Sequence, residues 1–227
     1  MQAGNAYYNS PGDLPETIPV FPLTGAILLP GGQLPLNIFE PRYKDMIDDA
    51  LSGARLIGMI QPDLKEKPAE DQPPNLSSVG CVGRLTAYQE TGDGRYLIHL
   101  AGICRFEVRE EVFVNTAYRQ CSICAYDDDL NGKNASTEID RDKLIEAFKR
   151  HLDANGMQAD WESIETTNDE TLVNALCMMS PYGPAEKQAM LEAPCLKTRA
   201  ETLITISQMD LADTSSEMFL KMMPCRS

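Results

Sequence analysis

Two cysteines three positions apart, Cys121 and Cys124, form the pattern in this chain that comes nearest to a metal or redox site. A structural zinc ion needs four ligands, and no second cysteine pair or histidine pair lies near this one in the sequence. The pair lies in a segment typical of a β-strand, where residues three apart point to opposite faces of the sheet. A thioredoxin-type pair would instead stand at a helix start, which stabilises the thiolate. We therefore expect two core or surface thiols and no bound metal.

The two histidines of the chain, His99 and His151, do not complete a recognisable catalytic set. His151 is expected near the carboxyl end of an amphipathic helix, where the helix dipole favours a cation. His99 could meet Cys81 or Cys104 across neighbouring strands, but the sequence suggests no third group that would orient such a pair. Ser180 lacks the Gly-x-Ser-x-Gly surroundings of a nucleophile elbow. The sequence therefore predicts no enzyme activity and no cofactor.

The composition is that of a globular protein with an acidic surface. Hydrophobic residues make up 43% of the 227 residues and charged residues 24%, enough for one large or two small cores. A formal net charge of −14 argues against nucleic-acid binding, which needs a basic face. The apolar runs fall short of the ~18–20 residues that span a bilayer, and the first residues lack the features of a signal peptide. We expect a cytoplasmic protein with reduced thiols that binds neither nucleic acid nor membrane.

The first half of the chain, from Ile18 to about Tyr126, is typical of short β-strands interrupted by prolines. Proline cannot donate a ladder hydrogen bond, so strands that contain it are edges, bulged or very short. Such a sheet closes through bends and bulges rather than lying flat. A hairpin loop is expected at 91–94, where two glycines tolerate positive φ. A single amphipathic helix from Pro41 to Gly53 should cover an end or flank of the resulting small bulged β-barrel.

The same stretch carries the motifs of a known family. It opens with IPVFPLTGAILLPGGQLPLNIFEPRY at 18–43, and the matching segments that follow in order lie at 57–62, 79–85 and 93–106. This succession resembles the amino-terminal domain of Lon proteases, the substrate-binding module of an ATP-dependent protease. The resemblance continues through 186–192 and Arg199 to about Ile206. It implies a PUA-like β-domain, a helical second half and a role in holding polypeptide substrates.

The motor and the protease of that family are not expected here. The sequence contains no Gly-x-x-x-x-Gly-Lys-Ser/Thr phosphate loop. Its 227 residues also leave no room for a protease domain beside the segments above. We therefore expect a stand-alone, non-enzymatic recognition module that could neither unfold nor cleave a polypeptide by itself.

The Glu40-Pro41-Arg42-Tyr43 element is the strongest mark of the family. A purely structural role explains it: Glu40 would accept hydrogen bonds from the first-turn amides of the helix, and Arg42 would either pair with a nearby carboxylate or donate to carbonyls at a strand end. We favour this structural role over direct ligand contact for both residues.

An Asp-rich stretch divides the chain. The segments expected from the sequence are a flexible tail at 1–17, a β-rich domain at 18–126, an acidic linker at 127–137, and a helical bundle with a C-terminal tail at 138–227. Adjacent aspartates repel one another, and nothing in the linker can form a core. Beyond it the apolar spacing becomes helical and predicts about four helices, one of them introduced by a capping box of Thr167 and Glu170. The expected fold is therefore α+β, a small bulged β-barrel followed by an α-helical bundle.

Methionines gather in the helical half and suggest a binding surface. Eight of the eleven lie after the Asp-rich stretch. Flexible thioether side chains suit surfaces that accept many apolar partners, although methionine also fills gaps in helical cores. Met178, Met179 and Tyr182 lie where two helices join. Together with Phe39 and Tyr43 of the Lon-like motif they are the candidate polypeptide-contacting residues.

Three functions are compatible with these features. The leading hypothesis is a module that holds unfolded or apolar polypeptide segments, through strand addition at a sheet edge or through the methionine-lined face. The alternative is an adaptor or scaffold that docks one specific folded partner protein. A third is a small-molecule or nucleic-acid binder, since small bulged barrels often serve that purpose. No oligomeric state is predicted.

Overall fold

The computed structural model describes residues 1–63, 72–132, 138–154, 156 and 158–222, with side chains as far as residue 212. Within this part of the chain the strands are β1 (Gln2–Ala3), β2 (Ala6–Tyr7), β3 (Thr17–Pro22), β4 (Gln33–Ile38), β5 (Leu56–Pro62), β6 (Leu76–Glu90), β7 (Tyr96–Val112) and β8 (Gln120–Ala125). The helices are α1 (Pro41–Ser52), α2 (Asp127–Leu130), α3 (Arg141–Ala154), α4 (Trp161–Thr166), α5 (Asp169–Met179), α6 (Pro184–Glu192) and α7 (Leu196–Met222).

Strand β7 closes the main sheet into a ring. The strands follow the order β4-β7-β6-β5-β3-β8, and β7 also pairs with β8. The first half of β7 pairs with β4 and its second half with β8, so β4 is an outer strand beside the ring. Register shifts interrupt the β5–β6, β6–β7 and β7–β8 ladders, and such bulges bend the strands. The predicted small bulged β-barrel and the α+β class are confirmed.

The β6–β7 hairpin turns where the sequence predicts it. Gly92 and Gly94 have φ values of 78° and 84°, a region that glycine enters at little cost. Thr91 donates its backbone N–H to the carbonyl of Arg95 and so closes the loop. The long ladder of β6 and β7 that follows brings distant parts of the sheet into fixed register.

The helix predicted from Pro41 is α1, which begins at this residue and is followed by Gly53. Its buried residues, Tyr43 among them, follow the predicted apolar spacing. Arg42 pairs with Glu40 at 2.8 Å, as predicted. The expectation that the Glu40 side chain caps the helix is wrong. Its backbone carbonyl accepts the first-turn N–H bonds, while its carboxylate binds Arg42.

Residues 1–17 are not the flexible tail that the sequence predicts. They contain the β1–β2 hairpin and a single 3₁₀ turn at Pro11–Asp13. Ala3, Tyr8 and Leu14 are buried in one hydrophobic cluster with residues of the barrel. Arg84 of β6 also donates a 2.9 Å hydrogen bond to the Tyr8 hydroxyl. Apolar contacts with the barrel therefore order a segment that looks polar in sequence.

The start of the predicted acidic linker is also structured. Residues Asp127–Leu130 form α2, in which Asp129 and Leu130 are buried. Asp129 can be buried because the guanidinium of Arg105 neutralises it. The prediction that nothing in this segment can form a core is therefore wrong for its first four residues, and positions 133–137 lie outside the described residues.

The helical half packs on the barrel through a shared core. One cluster of buried residues contains Ile57 and Leu100 of the barrel together with Leu144, Leu172 and Leu203 of the helices. This cluster includes residues from both sides of the expected boundary at 127–137. The boundaries between domains stay a prediction. The segment predicted as a C-terminal tail belongs to α7 as far as Met222, while its side chains and positions 223–227 lie outside the described part of the chain.

Helix α5 begins one residue later than its predicted cap implies. Its N-cap is Asn168, whose side chain accepts a 2.9 Å bond from the backbone N–H of Thr171. Thr167 instead ends the short helix α4, and its hydroxyl donates to the carbonyl of Ser163 at 2.6 Å. The predicted capping box of Thr167 and Glu170 is therefore wrong. The helix ends at Met179, with Ser180 as its C-cap ahead of Pro181.

None of the helices in the described chain combines the length and the apolar character that crossing a membrane requires.

Candidate functional site

A cleft of about 720 Å³ lies where α6 runs beside the ends of β5 and β6. Its apolar lining comes from side chains of β5, β6, β7 and α6: Pro62, Leu76, Val108, Pro184, Ala185 and Ala189. Ala185 and Ala189 are exposed on α6, so the cleft opens to solvent. Small side chains on the helix leave room for another chain between α6 and the sheet.

The floor of the cleft is the place where β6 and β7 separate. Pairing between these strands begins at Val79 with Glu107, so Ser77 and Ser78 have no partner residue on β7. Val108, the next residue of β7, pairs with Ile123 of β8 on the other side. The edge of β6 that faces β7 therefore makes no ladder hydrogen bond to β7 at Ser77 and Ser78. A sheet edge of this kind can accept an added strand.

A buried glutamine fixes the helix to the sheet at one end of the cleft. Gln61 is 1% exposed and accepts a 2.8 Å hydrogen bond from the backbone N–H of Gly25. Its amide nitrogen donates to the carbonyl of Pro184 at 2.9 Å and to the side-chain oxygen of Gln188 at 3.1 Å. A buried amide with these partners holds a single orientation, because losing any of them would leave a polar group unsatisfied.

Gln188 continues this chain of amides along the cleft. Its nitrogen donates to the carbonyl of Val79 at 3.1 Å, at the point where the β6–β7 ladder ends. It also donates to the carboxylate of Glu192 at 2.7 Å. The wall and the floor of the cleft are thus connected by side-chain hydrogen bonds and keep their spacing without a ligand.

Among the residues that the structure describes, the charged side chains that line the cleft are two carboxylates, Asp63 and Glu192. Exposed Glu107 is the β7 partner of Val79, whose carbonyl accepts the hydrogen bond from Gln188. The pKa of Tyr126 is raised, first by burial and then by the charges of Glu107, Asp129 and Glu192, against the opposing effect of Arg105. The cleft is therefore apolar inside and negative at its rim.

A smaller cavity of about 160 Å³ shares Pro62 with the cleft. Prolines and two tyrosines dominate its lining: Pro22, Pro62, Pro73, Pro74, Tyr43 and Tyr118. Arg119 at its edge is bound to Glu111 through two hydrogen bonds of 2.5 and 2.7 Å and also donates to the carbonyl of Pro74. Its guanidinium is therefore already hydrogen-bonded to groups of the protein itself.

The five residues predicted to contact polypeptide are distributed over different surfaces. Phe39 and Met179 are 63% and 82% exposed. Met178 is half-buried with its sulfur against Gly32, and the hydroxyl of half-buried Tyr182 lies 2.7 Å from that of Ser207.

Tyr43 is the fifth of these residues and lies in the core. It is 7% exposed and meets the ring of Phe21 edge-on, with 4.3 Å between centroids. Tyr43 lines the smaller cavity, whereas the other four predicted residues line neither this cavity nor the cleft.

Of the two cysteines with the most suggestive spacing, only one is a core thiol. Cys121 is buried and Cys124 is half-buried on the other face of β8, as the strand prediction requires. Burial raises the pKa of Cys81 well above its usual value and that of Cys104 to about 12. Both thiols are therefore protonated at neutral pH and are poor nucleophiles. His99 lies on the exposed face of β7, opposite Pro35 and Ala87.

The residues that build the cleft were not predicted from the sequence. Gln61 carries a usable signal, because it is a polar residue at the end of the otherwise apolar run Leu56–Ile60. A polar residue in such a position is hydrogen-bonded to something once the strand is buried. Gln188 and Ala189 lie within the Lon-like segment 186–192, but their spacing gives no sign of what they face.

Comparison with known proteins identifies relatives over most of the chain. Residues 17–208 match the family described as the ATP-dependent protease La (LON) substrate-binding domain. Lon protease 2 of Myxococcus xanthus is 26% identical over 201 residues, and Lon protease of Anaeromyxobacter dehalogenans is 30% identical over 204 residues. These alignments cover 86% of this chain but only 24% and 23% of the relatives. The chain therefore spans about a quarter of the length of the curated relatives it matches.

Two solved structures share the fold at low sequence identity. A Lon N-terminal domain protein from Xanthomonas campestris superposes with a TM-score of 0.59 at 18% identity, covering 83% of this chain and 97% of that chain. The N-terminal domain of the Mycobacterium avium complex Lon protease gives 0.61 at 18% identity, covering 85% and 98%. The similarity extends over both the barrel and the helical half.

Proposed function

Because this chain belongs to the family of the Lon substrate-binding domain, we propose that it binds polypeptides, and that the cleft between α6 and the β5–β6 end receives an extended segment of them. The observation that carries the proposal is the coincidence of an apolar cleft with the point where β6 leaves β7. Apolar lining gives a reason for affinity, and open strand backbone gives a reason for an extended ligand.

The lining favours segments that folded proteins keep inside. Proline, alanine, leucine and valine side chains offer contact area without a demand for specific polar partners. An unfolded chain exposes apolar residues in runs, whereas a folded chain buries them. Main-chain hydrogen bonds to Ser77 and Ser78 would not depend on the side chains of the ligand. The proposed module therefore distinguishes unfolded from folded chains more strongly than one sequence from another.

The proposed function involves no chemical step. The buried thiols Cys81 and Cys104 are protonated at neutral pH, and His99 lies on the solvent face of its strand. The described residues contain no group of three or more His, Cys, Asp or Glu side chains placed to hold a metal ion. We propose a module that holds polypeptides without modifying them.

Binding to one model protein in its folded and its permanently unfolded form tests the proposal. We expect fluorescence anisotropy to show saturable binding of the unfolded form only. Ala189→Trp should fill the cleft from the exposed face of α6 and weaken this binding at least about ten-fold. Ala154→Trp, at an exposed alanine of α3, is the matched control and should bind as the unchanged protein does. Equal binding of both forms, or equal binding by both tryptophan variants, contradicts the proposal.

The five residues predicted from the sequence define a competing binding surface. Met179→Gln removes its most exposed thioether and leaves the cleft intact. A loss of binding in this variant, with Ala189→Trp unchanged, would move the site to the junction of α5 and α6.

An adaptor that docks one folded partner is the second candidate. Exposed large apolar side chains outside the cleft support it, among them Phe39, Phe113 and Met179. Isolated apolar residues are common on protein surfaces, so this support is weaker than that of a formed cleft. Retrieval of one stoichiometric folded partner by the purified protein, insensitive to Ala189→Trp, would favour the adaptor.

A further inference from the structure

We infer that the cleft selects extended segments that carry Lys or Arg beside their apolar residues, and that it rejects otherwise identical segments that carry Asp or Glu. This inference rests on the proposed function and specifies its class of ligand. The juxtaposition behind it is an apolar cleft whose charged lining residues, within the described part of the chain, are the carboxylates Asp63 and Glu192.

The two carboxylates lie towards opposite ends of the cleft. Asp63 follows Gln61, which holds the first residue of α6, Pro184, whereas Glu192 is the last residue of that helix. Nine helical residues span about 12 Å along the helix axis. An extended chain covers this length with about four residues. A segment with two basic residues about four positions apart could therefore approach both carboxylates while its intervening residues lie on the apolar floor.

Glu192 keeps the capacity to bind a cation. Its side chain is exposed and accepts a hydrogen bond from the neutral amide of Gln188. A carboxylate has two oxygens with about four acceptor positions, so one such bond leaves room for an ammonium or guanidinium group. Glu107 on the neighbouring strand reinforces the negative potential at this end.

Two buried cations lie behind the carboxyl end of α6, but both are already satisfied within the protein. Arg105 is 1% exposed and is paired with Asp129. Arg199 is 3% exposed and donates to the carbonyl of Met190 and the side-chain oxygen of Asn174. Neither guanidinium reaches solvent to attract an acidic ligand.

The net charge of the whole chain acts in the same direction. At −14 it lowers the energy of a cationic ligand near any part of the surface and raises that of an anionic one. Charge complementarity of this kind governs specificity and association rate more than total affinity. The cleft residues should account for the part of the preference that is local, and site-directed variants can isolate that part.

Three fluorescein-labelled peptides with one common apolar core test the inference. They differ at two positions four residues apart, which hold Lys, Gln or Glu. At low ionic strength we expect the Lys peptide to bind about five-fold or more tightly than the Glu peptide, with the Gln peptide between them. The ratio should shrink as salt is added, because exposed charges are screened.

A double variant assigns the preference to the cleft. Asp63→Asn with Glu192→Gln keeps the side-chain shapes, and the new glutamine can still accept a bond from Gln188. The ratio of Lys to Glu affinity should fall below about two-fold. The control double variant, Glu162→Gln with Glu201→Gln, removes the same charge from exposed helical positions outside the cleft and should keep the original ratio.

The outcomes separate this inference from the proposed function. Equal binding of the three peptides, or an unchanged ratio in the cleft variant, overturns the inference and leaves polypeptide binding intact. No measurable binding of any of the three peptides overturns the proposed function, and this inference with it.

Discussion

The guanidinium of Arg105 and the carboxylate of Asp129 form a two-pronged ion pair, with Nη2–Oδ1 and Nε–Oδ2 distances of 2.8 Å each. Both side chains are almost completely buried. Nη1 of the same guanidinium donates to the carbonyls of Leu191 and Ala193 at the end of α6. The pair thus connects β7 and α2 with the helix that forms one wall of the cleft. Removal of either partner would leave an uncompensated charge in the core.

Replacing Asp129 by Ala should lower the free energy of unfolding by about 3–5 kcal/mol, because Arg105 would stay buried without its counter-charge. Urea denaturation of the purified protein measures this change. Glu110→Ala, at an exposed position of β7, should change the free energy of unfolding by less than about 0.5 kcal/mol. Similar small effects of the two substitutions would show that the ion pair is not formed in solution.

The carboxylate of Asp129 should make the free energy of unfolding depend on pH in the acidic range. Burial by itself would raise the pKa of Asp129, but the hydrogen bonds and charge of Arg105 outweigh it and hold the pKa below its usual value. A group whose pKa is lower in the folded state stabilises the fold above its unfolded pKa, about 3.9 for Asp, and loses this effect as pH falls through the folded pKa.

We therefore expect the free energy of unfolding to fall below about pH 4, and to fall less steeply in Asp129→Asn, which has no carboxyl group to protonate. Urea denaturation at a series of pH values between 2.5 and 7 measures both slopes. Other acidic groups titrate alike in the two proteins, so the difference between the slopes reports Asp129. Identical slopes would contradict the lowered pKa.

Gly102 lies at the closest approach between β7 and the loop before β4. Its N–H donates to the carbonyl of Gly32 and its own carbonyl accepts from Gly31. A Cβ at this position would overlap the carbonyl oxygen of Leu29. We expect Gly102→Ala to destabilise the fold by about 2–3 kcal/mol, measured by thermal unfolding. Gly12→Ala, whose Cβ would have a single neighbouring atom at 3.6 Å, should be close to neutral.

The N-cap of α5 can be assigned by two alanine substitutions. Asn168→Ala removes the side-chain oxygen that accepts from Thr171 and should cost about 1 kcal/mol of unfolding free energy. Thr167→Ala leaves this cap in place and should cost less. A larger loss at Thr167 would support the capping box expected from the sequence instead of the observed one. Chemical denaturation resolves differences of this size when both variants share the same slope.

Thiol labelling should distinguish Cys195 from the core cysteines. Hydrogen bonds from the hydroxyl and the backbone N–H of Thr198 lower the pKa of Cys195, which is half-buried just before α7. Burial raises the pKa of Cys177 to about 12.

With Cys225→Ser as the background, we expect Cys195 to react with a disulfide reagent faster than any other thiol of the native protein, and Cys177 to react only after denaturation. Mass spectrometry of partly labelled protein identifies the sites. Preferential labelling of Cys124, the other half-buried thiol, would contradict the assignment.

The sequence predicted correctly those helices and turns that are specified by residues close to them in the chain. The prolines, the turn at Gly92 and Gly94 and the apolar spacing after Pro41 lie within a few residues of the structures they specify. The Lon-like succession of motifs predicted the order of these elements, and the family match confirms that resemblance. The error at α5 is of the same local kind, because Thr167 and Asn168 are both able to cap a helix and the sequence offers no means to choose.

The α+β class and the bulged barrel can be read from the sequence, since backbone restrictions and hydrophobic periodicity act over short distances. The succession of Lon-like motifs identifies the substrate-binding domain family in the same way. The three-dimensional fold determines that Asp129 is buried, because its partner Arg105 is 24 positions away. It also determines where the cleft lies, because Gln61 and Gln188 come from segments 127 residues apart. A side chain's polarity can be read from the sequence, but the partner that satisfies it depends on which distant segments the closed sheet brings together.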